Sequence, residues 1–451
     1  MIFSREELSK IFKAEVQYGI DGISVDSRSI QKGDLYVALR GERVDGHDFI
    51  KQAIDRGAVL ALSEREISEV DSSHIIQVES PYQGLVELAK YKSKHTDAKY
   101  ICVTGSVGKT TTKNLIHHLL SRFMKDGLYV SKKNFNSQIG LPICAASMPN
   151  DTKVGIFEMG MSERGNISKL TDIIAPDVSI ISQICATHLE FFNSVWDIAK
   201  AKSEIMDKTK QAVVIPADSP YTDFLKNKAK KLGIPHVYTF GFSPADATVI
   251  SCEHDGDFTK VSAKILGREV SYKIASRSEV LVTISLSAIL AIHEITSTDI
   301  QDLAAEVESF SNEAHGRGEL FEKNGVTIID DSYNACPESL KAAIRTLSRY
   351  PGRKILAVGD MRELGPNSKI FHAEISPTID KYGIDLVFAC GDLSKHLFDN
   401  LQEKKKGAWC ENSQQLSEEI IKFIKPGDVI LVKGSNSMKM NCITEAIKNV
   451  L

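Results

Sequence analysis

Several features that would identify a class of protein are missing from this sequence of 451 residues. No two of its eight cysteines have CxxC spacing, which argues against a local zinc or redox motif and favours reduced core thiols in a cytoplasmic protein. A net charge of only −4 leaves no bulk electrostatic signature of nucleic-acid binding. We found no window of about 18 apolar residues and no signal peptide at the charged N-terminus, so we expect no membrane insertion.

The signals that are present divide the chain into three predicted α/β domains, at 1–97, 98–312 and 313–451. The first combines short strands with helices. The second opens with the apolar strand YICVT, and the continuous apolar runs that follow it predict a parallel sheet covered on both faces. Within it, residues 246–274 alternate between polar and apolar and predict a β excursion. The third domain again alternates strand and helix, as Rossmann-like domains do.

A glycine-rich loop follows the YICVT strand and precedes a helix. A helix N-terminus offers unpaired N–H groups and a positive dipole end, and glycines let the backbone curl around a phosphate. Val103 stands where the common phosphate loop has its first glycine, so this is a shorter form. Lys109 would neutralise the β- and γ-phosphates, and Thr110 would bind Mg²⁺. The alternative is a glycine-rich turn with an incidental lysine. The predicted ATP-binding residues of the loop are Thr104, Gly105, Ser106, Val107, Gly108, Lys109, Thr110 and Thr111.

Motifs along almost the whole chain resemble those of one family, the Mur ligases, which are ATP-dependent amide-forming enzymes of bacterial cell-wall synthesis. They are VDSRSIQKGDLYVALRGERVDGHDF (25–49), TGSVGKTTTKN (104–114), NFNSQIGLP (134–142), EMGMSERGNI (158–167), IDDSYNACPESLKAAI (329–344), VGDMRELG (358–365) and VKGSNSMKM (432–440). The resemblance implies a UDP-sugar-binding first domain, a central ATP-binding domain and a Rossmann-like third domain.

The same resemblance implies a reaction and its partners. ATP would phosphorylate the terminal carboxylate of UDP-N-acetylmuramoyl-tripeptide, and the amine of D-alanyl-D-alanine would attack the acyl phosphate to form an amide. The cofactors implied are ATP and Mg²⁺, with two metal sites. A monomer is expected. Because a carboxylate is a poor electrophile, the mixed anhydride supplies the leaving group.

Four residues form the predicted catalytic set. Lys109 belongs to the phosphate loop. Glu158 follows an apolar strand, at the strand end where ligands gather in open α/β sheets, so we assign it to Mg²⁺ with Thr110. By resemblance, His188 is a second-metal ligand and Lys202 carries a carbamate that also binds Mg²⁺. The alternatives are a solvated glutamate, a structural histidine and an exposed helix lysine.

Further residues are candidate contacts to nucleotide or substrate, with turns and helix caps as the alternative for each. Their side chains can donate hydrogen bonds to phosphate or peptide, or accept them. The candidates for ATP are Arg317, Asp331 and Asn334, and those for substrate are Ser27, Arg28, Asp45, Gly46, His47, Asn134, Asn136, Tyr333 and Ser435.

The chain departs from the family pattern in places, which keeps rival hypotheses open. The stretch 278–288 has no Asn or His near the expected adenine position, Asn436 and Asn441 replace charged residues, and Cys185 lies where a glycine is usual. The rivals are another Mur-type amino-acid ligase, a P-loop ATPase without ligase activity and a non-catalytic binding protein. The DGH and DSYN motifs argue against a folate ligase.

Overall fold

A computed structural model describes residues 1–132, 135–256, 258–311 and 315–450. Its contacts divide the chain into two compact units. Unit 1 contains Met1–Thr104, Leu120–Ser179 and Glu204–Ala212, and unit 2 contains Gly105–Leu119, Ile180–Ser203 and Val213–Leu451. This division follows contacts and leaves the three predicted domain boundaries as predictions.

The N-terminal part of unit 1 contains a small parallel sheet. Its strands are paired in the order β1-β2-β3-β4, and every pairing is parallel. Ser80 caps the long third helix and Pro81 occupies its first turn, where a missing N–H costs nothing. The elements are α1 (Arg5–Phe12), β1 (Gly22–Ser24), β2 (Asp34–Val37), α2 (Ile50–Asp55), β3 (Leu60–Ser63), β4 (Ile75–Gln77) and α3 (Pro81–His95).

The middle of the chain supplies strands and helices to both units. They are β5 (Lys99–Thr104), α4 (Lys109–Phe123), β6 (Leu128–Val130), α5 (Gly140–Ala146), β7 (Val154–Glu158), α6 (Asn166–Thr171), β8 (Val178–Ile181), α7 (Val195–Lys202), β9 (Ala212–Pro216), α8 (Thr222–Leu232), β10 (His236–Gly241), β11 (Ala247–Asp255), β12 (Phe258–Ile265), β13 (Arg268–Ile274), α9 (Glu279–Thr296) and α10 (Ile300–Ala305). In unit 1, β7 pairs in parallel with both β5 and β6. In unit 2, β11, β12 and β13 form an antiparallel meander, which confirms the predicted β excursion.

The C-terminal part of unit 2 is a six-stranded sheet in the order β14-β15-β19-β16-β17-β18. The edge strand β14 is antiparallel to β15 and the other pairings are parallel. Its elements are β14 (Glu319–Lys323), β15 (Val326–Asp331), α11 (Pro337–Leu347), β16 (Arg353–Gly359), α12 (Ser368–Ala373), α13 (Ser376–Lys381), β17 (Leu386–Cys390), α14 (Ser394–Asp399), β18 (Lys406–Cys410), α15 (Ser413–Ile420), β19 (Asp428–Lys433) and α16 (Asn441–Val450). Two hydrophobic clusters, which share no residue, draw side chains from these strands and from different helices. This arrangement confirms the predicted Rossmann-like α/β class.

One helix corrects an expectation from the sequence. By length and composition, α9 is apolar enough to cross a membrane, and it is the one helix of this kind among the described residues. The expectation that no such window exists was therefore wrong. The window is 61% buried within the fold, and Ser285 and Ser287 on it are almost fully buried. We interpret α9 as a core helix of unit 2.

Candidate functional site

The glycine-rich loop has the backbone that its sequence predicts. Gly105 has φ +146° and Gly108 has φ +88°, a region that side chains rarely adopt. A Cβ at Gly105 would collide with the hydroxyl of Ser182, so the loop also needs glycine for space. Helix α4 begins at Lys109, immediately after the loop. Its first N–H groups therefore lie next to the glycines, as phosphate binding requires.

A second segment of unit 2, residues 182–187, supports this loop. The backbone N–H of Ser106 donates to the carbonyl of Gln183 at 2.8 Å, and the Ser182 hydroxyl donates to the carbonyl of Val107 at 2.6 Å. The Ser106 hydroxyl donates to the Cys185 carbonyl at 3.0 Å and accepts from the Cys185 N–H at 3.2 Å. These bonds pair polar groups of the loop with the 182–187 segment and help to hold the loop's shape.

Two lysine ammonium groups meet at one carbonyl of the loop. Lys109 Nζ donates to the Gly105 oxygen at 3.0 Å, and Lys202 Nζ donates to the same oxygen at 2.8 Å. The side chain of Lys202 is only 2% exposed, which contradicts the alternative of a solvated helix lysine. The structure thus brings together two of the four predicted catalytic residues. Their positive charge lies where a phosphate chain would add negative charge.

Glu158 ends strand β7 in unit 1 and is 2% exposed, so it is not a solvated surface glutamate. Its Oε1 accepts a hydrogen bond from the side-chain amide of Asn136 at 2.7 Å. The Asn136 carbonyl accepts from the N–H of Gly160 at 2.8 Å, which anchors the asparagine. The structure therefore places together two residues that the sequence singled out separately. Asn134 lies outside the described residues.

His188 contacts a residue that sequence reasoning did not select. Its Nδ1 lies 2.5 Å from Oε2 of Glu363, and the N–H of Glu190 donates to the Glu363 carbonyl at 3.2 Å. Both His188 and Glu363 have positive φ, at 57° and 63°. The hydrogen bond from His188 lowers the pKa of Glu363 below its usual value. Glu363 belongs to the GDMRELG motif, so the signal available in the sequence was a charged residue within that motif.

Residues at the end of β15 and in the loop after it take part in two small clusters of unit 2. Lys433 Nζ donates to Asp331 Oδ2 at 2.6 Å and to the carbonyl of Asn334 at 2.9 Å. The guanidinium of Arg317 lies 4.0 Å from the ring centroid of Tyr333, a cation–π distance. Four predicted site residues are therefore neighbours in two small clusters.

Ser435 has a different partner from these clusters. Its hydroxyl accepts from the backbone N–H of Arg362 at 2.8 Å. It therefore supports the backbone of the GDMRELG segment.

The N-terminal candidates have partners within their own part of unit 1. His47 is 2% exposed, with Nδ1 at 2.6 Å from Asp45 and Nε2 accepting from the N–H of Glu64 at 3.1 Å. Both ring nitrogens are thus used inside the fold, which favours the turn alternative for His47. Arg28 is exposed and paired with Asp26 at 2.8 Å.

The two remaining N-terminal candidates also have partners in this region. The hydroxyl of Ser27 donates to the side chain of Gln52 at 2.7 Å. The carbonyl of Gly46 accepts from the hydroxyl of Tyr36 at 3.0 Å.

Comparison with known families gives three matches, each within one predicted domain. The "Mur ligase family, catalytic domain" matches residues 19–93, the "Mur ligase middle domain" matches residues 103–289, and the "Mur ligase, glutamate ligase domain" matches residues 316–436. The first lies in the predicted UDP-sugar-binding domain, the second contains the phosphate loop and the third contains the DSYN and GDMRELG motifs.

Individual proteins match over nearly the whole chain. The UDP-N-acetylmuramoyl-tripeptide–D-alanyl-D-alanine ligase of Rickettsia prowazekii is 33% identical, with 99% of each chain covered. The enzyme of the same name from Bacillus subtilis is 31% identical, over 96% of this chain and 93% of the relative. Among solved structures, MurF from Acinetobacter baumannii aligns with a TM-score of 0.90 at 25% identity, covering 99% of each chain. MurF ligase from Thermotoga maritima, in complex with ADP, aligns with a TM-score of 0.84 at 28% identity, covering 95% of this chain and 97% of that one.

Proposed function

This chain belongs to the Mur ligase family, and from that premise we propose that it joins D-alanyl-D-alanine to UDP-N-acetylmuramoyl-tripeptide with the use of ATP. End-to-end relatives named for this reaction support the choice of both substrates. The phosphoryl-transfer half of the reaction is supported by one observation above all. Two lysine ammonium groups share the Gly105 carbonyl of a strand–loop–helix phosphate loop.

The role of the loop follows from the charge that moves during phosphoryl transfer. The γ-phosphoryl group passes from ATP to the tripeptide carboxylate, and charge spreads over its oxygens on the way. Backbone N–H groups at the start of α4 and the ammonium of Lys109 are already oriented in the folded loop. Preorganised donors of this kind stabilise the transferring group without reorganisation, which is how we assign Lys109.

The residues proposed for Mg²⁺ have the donor chemistry that a hard cation needs. Thr110 offers a hydroxyl and Glu158 a carboxylate, both nearly buried. The Asn136 amide donates a hydrogen bond to Glu158 Oε1, which orients the carboxylate and leaves it charged. Bound there, Mg²⁺ would neutralise phosphate charge. On the chemistry of their side chains, we propose Thr110 and Glu158 each as an oxygen ligand of Mg²⁺.

We propose Lys202 as the carbamate carrier that the family resemblance implies. Its burial fits a group whose charge could be changed, because burial disfavours the ammonium form. As the structure stands, Nζ is a donor to the Gly105 carbonyl. A carbamate presents oxygens there instead, so carbamylation would require the side chain to leave that carbonyl and turn toward a cation.

His188 is proposed as a ligand of the second metal, and Glu363 as its positioning residue. Histidine ligands in metal sites commonly pass their other ring N–H to a carboxylate, which fixes the tautomer and the ring orientation. The contact of Nδ1 with Glu363 has that form and leaves Nε2 as the ligand atom.

We propose the remaining substrate contacts from the chemistry of the side chains and not from their positions. Ser27, Arg28, Asn136, Tyr333 and Ser435 carry groups suited to uridine, phosphate or peptide. ATP contacts from Arg317, Asp331 and Asn334 are proposed on the same basis. A monomer in the cytoplasm remains our expectation.

The test measures phosphate release from ATP with UDP-N-acetylmuramoyl-tripeptide, with and without D-alanyl-D-alanine. We expect release to require both, and mass spectrometry to show a product longer by one dipeptide. Single amino acids at matched concentration serve as the control for another Mur-type ligase. Release that ignores every amine would contradict the proposal and favour a P-loop ATPase.

A further inference from the structure

Two cysteines far apart in sequence face each other inside unit 2. The sulfur atoms of Cys185 and Cys336 are 3.5 Å apart, although the residues are separated by 151 positions. Both side chains are at most 3% exposed. The distance is well above the disulfide bond length of about 2.05 Å, so both are free thiols in this structure.

The backbone around each thiol is fixed by hydrogen bonds. The backbone N–H and carbonyl of Cys185 both form hydrogen bonds with the Ser106 hydroxyl of the phosphate loop. Cys336 caps the N-terminus of α11, where its N–H donates to the Ser339 hydroxyl at 2.9 Å. The surrounding fold therefore places the two thiols opposite each other, and a ligand that binds both would not need to order the backbone further.

A carboxylate completes this group and has an unusual environment. Ligand atoms of Cys185, Cys336 and Glu338 all lie within 4.8 Å of one another. Oε2 of Glu338 is buried and has no hydrogen-bond partner in the structure. A buried carboxylate oxygen without a partner is costly, which indicates that a cationic or donor group belongs beside it.

We propose that Cys185, Cys336 and Glu338 form a binding site for a thiophilic divalent cation of the zinc class. Two sulfurs at about 2.3 Å from a tetrahedral zinc lie about 3.8 Å apart. The observed 3.5 Å is close to that value. A carboxylate is an accepted third ligand, and three protein ligands leave the fourth position open.

The state of the thiols fits this assignment. The hydrogen bond between them lowers the pKa of Cys336 and raises that of Cys185 well above its usual value. Because zinc binds the thiolate, the thiol protons would pass to solvent as the ion binds. The ion would tie the segment beside the phosphate loop to the start of α11. This site does not depend on the ligase reaction proposed above.

Cobalt(II) is the probe for the test, because thiolate ligation gives it an ultraviolet sulfur-to-metal charge-transfer band. The full chain, reduced and freed of metal, is titrated in buffer without ATP. We expect the band to saturate at one equivalent, and zinc to abolish it by competition. Cys185→Ser and Cys336→Ser should each lose it, whereas Cys252→Ser, a half-buried control on β11, should keep it. Glu338→Gln should keep the band and bind cobalt more weakly.

Several results would overturn the site. A wild-type chain without a band does so whatever the variants show, and so does a band that survives in both serine variants. If peroxide links Cys185 to Cys336 in a chain that never gives the cobalt band, the pair is a redox couple and the metal site is wrong. Melting curves show whether each variant is folded. If a serine variant fails to fold, Glu338→Gln still tests the site through its third ligand.

Discussion

At the scale of single residues, the carbonyl of Gly105 is the centre of the predicted chemistry. It accepts from two ammonium groups that the sequence places 93 positions apart, at Lys109 and Lys202. A phosphate would compete with this carbonyl for both cations. The two lysines differ in their expected roles, since Lys109 stays a cation and Lys202 is proposed to become an anion.

Lys202→Ala tests that difference. We expect turnover to fall by about 100-fold or more, because a metal ligand is lost, and short carboxylates such as acetate or formate to restore part of it. Steady-state phosphate release with both substrates is the measurement. Lys200→Ala is the matched control on the same helix, since Lys200 is partly exposed and paired with Asp197. Full activity of Lys202→Ala without additives would refute the carbamate.

Glu363→Gln tests the positioning of His188. The amide keeps the size of the side chain but loses the charge that holds the imidazole at Nδ1. Loss of such an outer partner commonly costs 10- to 100-fold in metal affinity, so we expect the Mg²⁺ concentration for half-maximal activity to rise by about tenfold while the KM for D-alanyl-D-alanine changes little. Glu363→Asp should recover part of the loss. An unchanged Mg²⁺ dependence would remove Glu363 from this role.

At the scale of elements, the phosphate loop and the 182–187 segment are one structural feature. The loop's φ angles need glycine, and its close approach to Ser182 needs the absence of a Cβ. Two independent constraints thus act at Gly105, and only the first is readable from sequence.

Gly105→Ala separates these constraints when it is compared with Gly383→Ala. Gly383 also has positive φ, at +64°, but a Cβ there would meet nothing within 4 Å. At Gly383, whose φ lies in the left-handed helical region, backbone strain alone costs about 1–2 kcal/mol. We expect Gly383→Ala to lower the melting temperature slightly and to bind ATP normally, and Gly105→Ala to lower it more and to lose ATP binding. Calorimetric titration with ATP and Mg²⁺ is the measurement, and equal behaviour of the two variants would show that the collision is unimportant.

At the scale of the whole molecule, nucleotide binding should appear as stability. A ligand that binds only the folded chain at 100 times its Kd adds about 2.7 kcal/mol. We therefore expect ATP with Mg²⁺ to raise the melting temperature by a few degrees. Lys109→Ala should melt at the wild-type temperature without ligand, show a much smaller shift with it, and lose almost all turnover. Lys125→Ala, at an exposed lysine outside the loop, is the control and should show the wild-type shift and turnover. A wild-type shift in Lys109→Ala would sink the phosphate-loop assignment.

Much of the fold could be predicted because its signals are local. Strand β9 (Ala212–Pro216) is a short apolar run and helix α9 (Glu279–Thr296) is a long, mostly apolar stretch, so both can be located from the sequence. The short strands β6, β14 and β18 were not predicted. Their residues are partly or fully exposed and lack the continuous apolar run of a central strand. Whether these segments form strands therefore depends on pairing with a neighbouring strand.

The sequence by itself determined the α/β class, the phosphate loop and the family, because strand periodicity, glycine spacing and ordered motifs are properties of neighbouring residues. Tertiary structure alone decided which side chains meet. It brought Asn136 next to Glu158, His188 next to Glu363 and Cys185 next to Cys336, and it buried His47, whose ring accepts a hydrogen bond from the Glu64 N–H. The absence of CxxC spacing excluded a local thiol site but could not exclude a pair formed across 151 residues. Such contacts depend on how strands and loops pack in space, and that packing has no fixed spacing along the chain.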